Sequence, residues 1–294
     1  LLKGTGDLDA ATSLTLVNSI VDGWFEVSSA QIIAQGVSRF SNTGVLHEGD
    51  IQITAALDRL LIENTVMTSI SGGSSTLSMS GAGTLDLQPL SDWVIINDPV
   101  MPVAMTLDLN GGRISNVELL TFAGVVNANL INFIENGVIT IPSTTTFNYF
   151  DPNDIQPGFG VVNNGIFNIQ NGLASMNLNT QDGSPFVNNG TFQIASGTAL
   201  NLLSDFQNTN VVSLPAGSAL ITATAATLFN SGSFSGGGIL TVSGGVLDTT
   251  AATTLPATMT LNMLSGSLIN AQNLTVAGLF NWFAGSILGT GPGF

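Results

Sequence analysis

Asn163-Asn164-Gly165-Ile166-Phe167 returns as Asn188-Asn189-Gly190-Thr191-Phe192 and again as Asn230-Ser231-Gly232-Ser233-Phe234. Looser copies stand at Asn42-Thr43-Gly44-Val45-Leu46 and Glu135-Asn136-Gly137-Val138-Ile139. Each copy joins a turn signal to an apolar strand, because Asn and Gly accept turn conformations that other residues avoid. A turn-plus-strand unit that recurs every few tens of residues is the pattern of a stacked repeat. Such a pattern speaks to architecture first and to chemistry hardly at all.

Period-two alternation runs through the rest of the chain. It marks Ser13-Leu14-Thr15-Leu16-Val17, Ile51-Gln52-Ile53-Thr54, Thr76-Leu77-Ser78-Met79 and Thr84-Leu85-Asp86-Leu87. It returns in Met105-Thr106-Leu107-Asp108-Leu109 and Gly238-Ile239-Leu240-Thr241-Val242. Only Ala55–Glu63 has leucine spacing that suits a helical turn, and there a strand over Leu60–Val66 ending in a turn is the preferred reading. Turn glycines such as Gly112, Gly137, Gly165 and Gly190 follow one another at 21 to 28 residues, as Gly23 to Gly44 and Gly44 to Gly72 do. The expectation is an all-β chain, a right-handed parallel β-helix (β-solenoid) of roughly a dozen coils. Residues 1–294 read as a single domain, a segment of a longer repetitive chain. Inward Leu, Val, Ile and Phe should form columns, with Phe167, Phe192 and Phe234 as one kind of core position and Asn ladders at the turns. Proline-bearing stretches near 97–103 and 150–160 read as projecting loops.

Charge is scarce. Charged residues make up 8% of the 294 and apolar ones 44%, so the chain has the means to fold rather than remain disordered. Lys3, Arg39, Arg59 and Arg113 face nineteen acidic residues, for a net charge of -15. Without a basic stripe, nucleic acid and anionic membranes are poor partners, while divalent cations and neutral polymers such as glycans remain open. Cysteine is absent, which removes thiolate chemistry and disulfides. No apolar run reaches the length of a membrane span. Leu1-Leu2-Lys3-Gly4-Thr5-Gly6 is neither an initiator methionine nor a signal peptide, and reads as a mature or excised piece of an exported protein.

Toward the carboxyl side the repeats become more distinctive. Leu264-Ser265-Gly266-Ser267-Leu268, Asn273-Leu274-Thr275-Val276-Ala277-Gly278-Leu279-Phe280-Asn281-Trp282 and Gly285-Ser286-Ile287-Leu288-Gly289-Thr290-Gly291 form one such series. With Gly236-Gly237-Gly238-Ile239-Leu240-Thr241-Val242-Ser243-Gly244-Gly245, it resembles repeats of bacterial extracellular parallel β-helix proteins of the autotransporter and adhesin kind. The resemblance covers roughly residues 160–294. It implies an extracellular or cell-surface location and a non-enzymatic structural or adhesive role, and it carries over no catalytic residue. The implied partner is the chain itself, stacked end to end, or a surface glycan or protein of a host. Leu2-Lys3-Gly4-Thr5-Gly6 echoes Leu288-Gly289-Thr290-Gly291, which suits head-to-tail stacking.

Candidate chemistry is thin. A polysaccharide hydrolase needs carboxylates one catalytic span apart, and a lyase needs a basic residue beside calcium-binding aspartates. Arg113 is the one base in a suitable strand, and no adjacent Asp-Asp pair exists. Asp7/Asp9 and Glu48/Asp50 (beside His47) are spaced for one strand face, where a solvated turn is the competing explanation. Asp151, Asn153 and Asp154 offer oxygen ligands that suit calcium, against a plain Asx turn framed by proline. Trp93 is the candidate for an exposed ring that stacks on sugar. Tyr149 and Trp24 are further aromatics, and Trp282 alternates with Phe280 as core does. Thr222-x-Thr224 and Thr258-x-Thr260 do not recur at the coil period, as an ice-binding face would require. A glycan-binding β-helix module is the alternative function, and a polysaccharide lyase or hydrolase the more distant one.

Overall fold

The computed structural model describes residues 1–10, 13–63, 65–69, 79–95, 104–110, 113–115, 119–121, 124–129, 132–134, 138–150, 155, 160–170, 175–180, 183–269 and 274–289. The chain is all-β, and the described strands pair in parallel as a β-solenoid. It falls into two compact units, Leu1–Asp151 and Pro152–Phe294. Among the described residues no helix is long and apolar enough to cross a membrane.

Alternation decides which residues face inward. In the first unit one column runs through Leu2, Val21, Phe40, Ile62, Leu87, Leu109, Ala128 and Tyr149, each in register with the next. A second passes through Leu60, Leu85, Leu107, Val126 and Phe147, all buried. Register offsets extend from 18 residues (Glu26 with Gly44) to 28 (Ile51 with Met79), so coil length varies over a wider range than turn spacing suggests. Strands Ile20–Gln35 and Gly44–Ile53 are also longer than expected, at 16 and 10 residues. The first of these pairs with Leu2–Ala10 and then with Leu14–Val17, so one strand serves two stretches of its neighbour coil. Ala55–Glu63 is not helical: a turn at Ala56–Leu57 leads into strand Arg59–Glu63. The expected continuation to Val66 is broken, because Val66–Ser69 is a separate strand with its own partner, Gly44–His47.

The second unit is more regular. A typical coil holds three short strands, such as Phe186–Asn188, Thr191–Ile194 and Ala199–Leu202. Phe167, Phe192, Val212 and Phe234 are in register and buried, as one column of core positions. A neighbouring column carries Val161, Phe186, Phe206, Leu228, Leu247 and Leu268. Where the two columns meet, Phe186 stacks on Phe206 with centroids 5.1 Å apart, and Phe192 meets both edge-on at 5.2 and 5.0 Å. These are the favoured arrangements for rings with negative faces and positive edges.

The glycine of the repeated phrase is fixed by proximity. A Cβ on Gly190 would run into the Gly165 carbonyl oxygen of the preceding coil, and one on Gly232 into that of Asn210. Elsewhere a turn tolerates strain: Leu90 holds φ +65° with its side chain 80% exposed. Leu90→Gly removes the left-handed penalty without losing packing. It should stabilise the chain by about 0.5–1 kcal/mol in urea melts, and a loss of stability would show that Leu90 makes a contact that outweighs the strain.

Candidate functional site: two polar ladders

The structure brings together two carboxylates that lie one coil apart. Strands Thr84–Leu87 and Thr106–Asn110 pair in register, which sets Asp86 beside Asp108 on the outward side of Leu85, Leu87, Leu107 and Leu109. Like charges at adjacent levels repel. Arg59, from the coil before, relieves this with one nitrogen: Nη2 donates to Asp86 Oδ2 at 2.7 Å and to Asp108 Oδ2 at 3.0 Å. Asp86 Oδ1 accepts from Gln88 Nε2 at 2.6 Å and Asn110 Nδ2 at 2.8 Å. The column then changes residue type: Asn127 donates to Asp108 at 2.8 Å and Asn148 to Asn127 at 3.0 Å. The Asp86 side chain is 3% exposed against 42% for Arg59. With both its oxygens engaged and covered, Asp86 is placed to hold coils together, not to approach a substrate.

The second unit carries an uncharged counterpart inside a corner. Asn163, Asn188, Asn208 and Asn230 are in register and essentially inaccessible. Each Nδ2 donates to the next Oδ1, at 2.7, 2.8 and 2.7 Å, and the last donates to Thr253 Oγ1 at 2.8 Å. The other N–H of each amide donates to a backbone carbonyl, of Thr191, Val211, Asn210 and Gly232 respectively. Asn suits this chain because its short side chain both donates and accepts, and every buried polar atom in the row is satisfied. An outer row runs alongside, with Thr209 donating to Asn189 at 2.7 Å and Asn189 to Asn164 at 3.0 Å.

The residues singled out in the sequence fare differently. Trp93 is 2% exposed, in a column with Met67 before it and Ile114 after, so its ring faces core rather than a sugar. Tyr149 is buried as well. Trp282 is the reverse case: its register partner Met263 is core, yet Trp282 is 59% exposed because no described strand covers its coil. Asp151, Asn153 and Asp154 lie outside the described residues, as does the 97–103 loop, while Ile155 bridges to Leu178. Asp7 and Asp9 lie on strand Leu2–Ala10, and His47, Glu48 and Asp50 on Gly44–Ile53. Among the described residues no three His, Cys, Asp or Glu gather to hold a metal ion. Sequence reading missed Asp86 with Asp108, and it missed Asn208. The signals were present: Thr-Leu-Asp-Leu occurs twice at an offset of 22 (84 to 106), and Phe206-Gln207-Asn208 follows Phe186-Val187-Asn188 at an offset of 20. No protein-family model, curated protein or solved structure matches this chain.

Arg59→Met should cost about 3–5 kcal/mol, since Asp86 then stays buried without its cation. Adding Asp86→Asn and Asp108→Asn should restore most of that loss in a denaturant titration; a triple variant no better than Arg59→Met would show that Arg59 acts through packing alone. In the second unit, Asn208→Ala strands the Asn188 donor and the Asn230 acceptor and should cost roughly 2–5 kcal/mol. Asn189→Ala, in the exposed outer row, should cost under about 1 kcal/mol. Equal losses at the two positions would remove the distinction between the rows.

Proposed function

We propose that this protein is a non-enzymatic structural segment of an extracellular or cell-surface protein, a β-solenoid whose task is mechanical presentation. The observation that carries the reading is the use of the polar ladders. Arg59 bonds to both Asp86 and Asp108 across three coils, and the buried asparagines bond across four. Groups that bind or catalyse are held facing a ligand, whereas these link coil to coil. The burial of Trp93 weighs against sugar stacking at that ring, and the adhesin-like repeats favour the extracellular setting.

An environment outside the cell selects for resistance to proteases and to changes of salt. Four basic residues give trypsin-like enzymes few places to cut. Few ion pairs mean that salt has little to screen. The intact chain should survive trypsin at 37 °C for hours, bind no member of a glycan array, and release no reducing or unsaturated ends from neutral or acidic polysaccharides. Saturable binding of a glycan, or release of sugar ends, overturns the reading in favour of a binding module or an enzyme.

A further inference from the structure

We propose that Asn189-Gly190 is a site of spontaneous covalent modification, where water alone converts the Asn189 carboxamide to a carboxylate. Asparagine is a thermolabile residue. It is most reactive before glycine, because no side chain hinders the following amide nitrogen from reaching the Asn carbonyl. Two such pairs, Asn164-Gly165 and Asn189-Gly190, stand one coil apart in the second unit, each preceded by an Asn of the buried row.

The fold treats the two pairs differently. The Gly165 N–H donates to Asn163 Oδ1 at 3.2 Å, which ties up that nitrogen. Asn188 Oδ1 instead takes the Asn163 amide at 2.7 Å, and among the described residues the Gly190 N–H donates to no acceptor. Asn189 is exposed, whereas Asn164 is half-buried. The next coil also reaches both carbonyls of Asn189. Thr209 Oγ1 lies 2.7 Å from its Oδ1, closer than to the Asn188 carbonyl oxygen at 3.2 Å, and Asn210 Nδ2 donates to its main-chain oxygen at 3.1 Å. Such donors stabilise the negative charge that gathers on a carbonyl oxygen under attack. Asn164 Oδ1 has a donor too, Asn189 Nδ2 at 3.0 Å, but its nucleophile is held elsewhere.

The Gly190 nitrogen gives its proton to solvent and attacks Asn189 Cγ. The N–Cγ bond forms, the Cγ–Nδ2 bond breaks, and Nδ2 takes a proton and leaves as ammonia. The product is a cyclic succinimide, which water opens at either carbonyl. Breaking the N–Cγ bond yields an aspartate at position 189, and breaking the bond from nitrogen to the main-chain carbonyl carbon yields an isoaspartyl link. In sum a water is consumed and an ammonia released, with no oxidant or reductant.

The aspartate fits the outer row. Thr209 can still donate to it, and the Asn164 amide can turn to present its Nδ2. The isoaspartyl form lengthens the main chain between two anchors, Asn189 N to Asn163 O at 2.7 Å and Thr191 N to Gly165 O at 2.8 Å, and so strains the corner. Either product adds negative charge to residues 152–294, which hold no Lys, Arg or His to pair with it. The modification accumulates with the age of the chain, and it stands or falls independently of the proposed structural function.

Peptide mapping by mass spectrometry tests this on the intact chain, held for weeks at about 37 °C and about pH 8. Asn189 should gain about 1 Da on the order of threefold or more faster than Asn164. In urea the two rates should converge, which assigns the difference to the fold rather than to the shared Asn-Asn-Gly sequence. Thr209→Val should slow the reaction at Asn189 on the order of threefold and leave Asn164 and the far-ultraviolet dichroism unchanged. Asn210→Ala is the second variant, should the first misfold, and should lower the isoaspartyl share of the product. Equal rates at the two residues in the folded chain, or no reaction at Asn189 while the unfolded chain reacts, overturns the proposal. So does a folded Thr209→Val chain that reacts at Asn189 as fast as its parent.

Discussion

Parallel in-register stacking sets each side chain about 4.8 Å from its counterpart one coil away, and the rest of this structure depends on that spacing. A residue type is therefore tested against itself. Leu on Leu and Phe on Phe gain contact and exclude water. Asn on Asn gains a hydrogen bond. Asp on Asp at that distance repels by roughly 3.5 kcal/mol at an effective dielectric near 20. Where the column stacks Asp86 on Asp108, the opposite charge of Arg59 relieves the repulsion. The next two positions of that column are Asn127 and Asn148, which continue the hydrogen bonds without adding charge.

The same spacing explains how the two units differ in their means of holding coils together. All four basic residues lie in residues 1–151, and three of them reach an acid from another coil: Lys3 to Asp22, Arg39 to Glu63, and Arg59 to its two aspartates. Residues 152–294 hold no Lys or Arg, so ionic linkage is absent there and the buried amide row takes its place. An amide row needs no counter-ion and is insensitive to pH and ionic strength. Its cost is specificity, since each position must both donate and accept, and a buried member left unpaired is heavily penalised.

Much of the fold was legible because alternation and turn chemistry are local. Phe167, Phe192 and Phe234 could be aligned by their shared Asn-x-Gly lead, and the structure places them in one column. Asn208 escaped because Asn210 stands where the other copies have glycine, although the column continues through it. Asp86 and Asp108 escaped for a different reason. Their meeting depends on coil length, and offsets that vary between 18 and 28 residues cannot be fixed by spacing alone. Trp93 misled because residue type alone says nothing about register, and register decides burial.

Stacking also sets what an uncovered coil must be. Within a column, each apolar residue is covered from both sides, and the sequence need carry no special feature to achieve this. At a coil with one free side, the same residues become surface, as Phe280 and Trp282 show beside the covered Leu261 and Met263. Proteins blunt such edges with charge, proline or a covering segment. Strand Leu2–Ala10 carries charges of both signs, whereas the coil at Leu274–Leu288 has enlarged its apolar side chains from Leu and Met to Phe and Trp. The two coils thus differ in composition, one carrying charges of both signs and the other none.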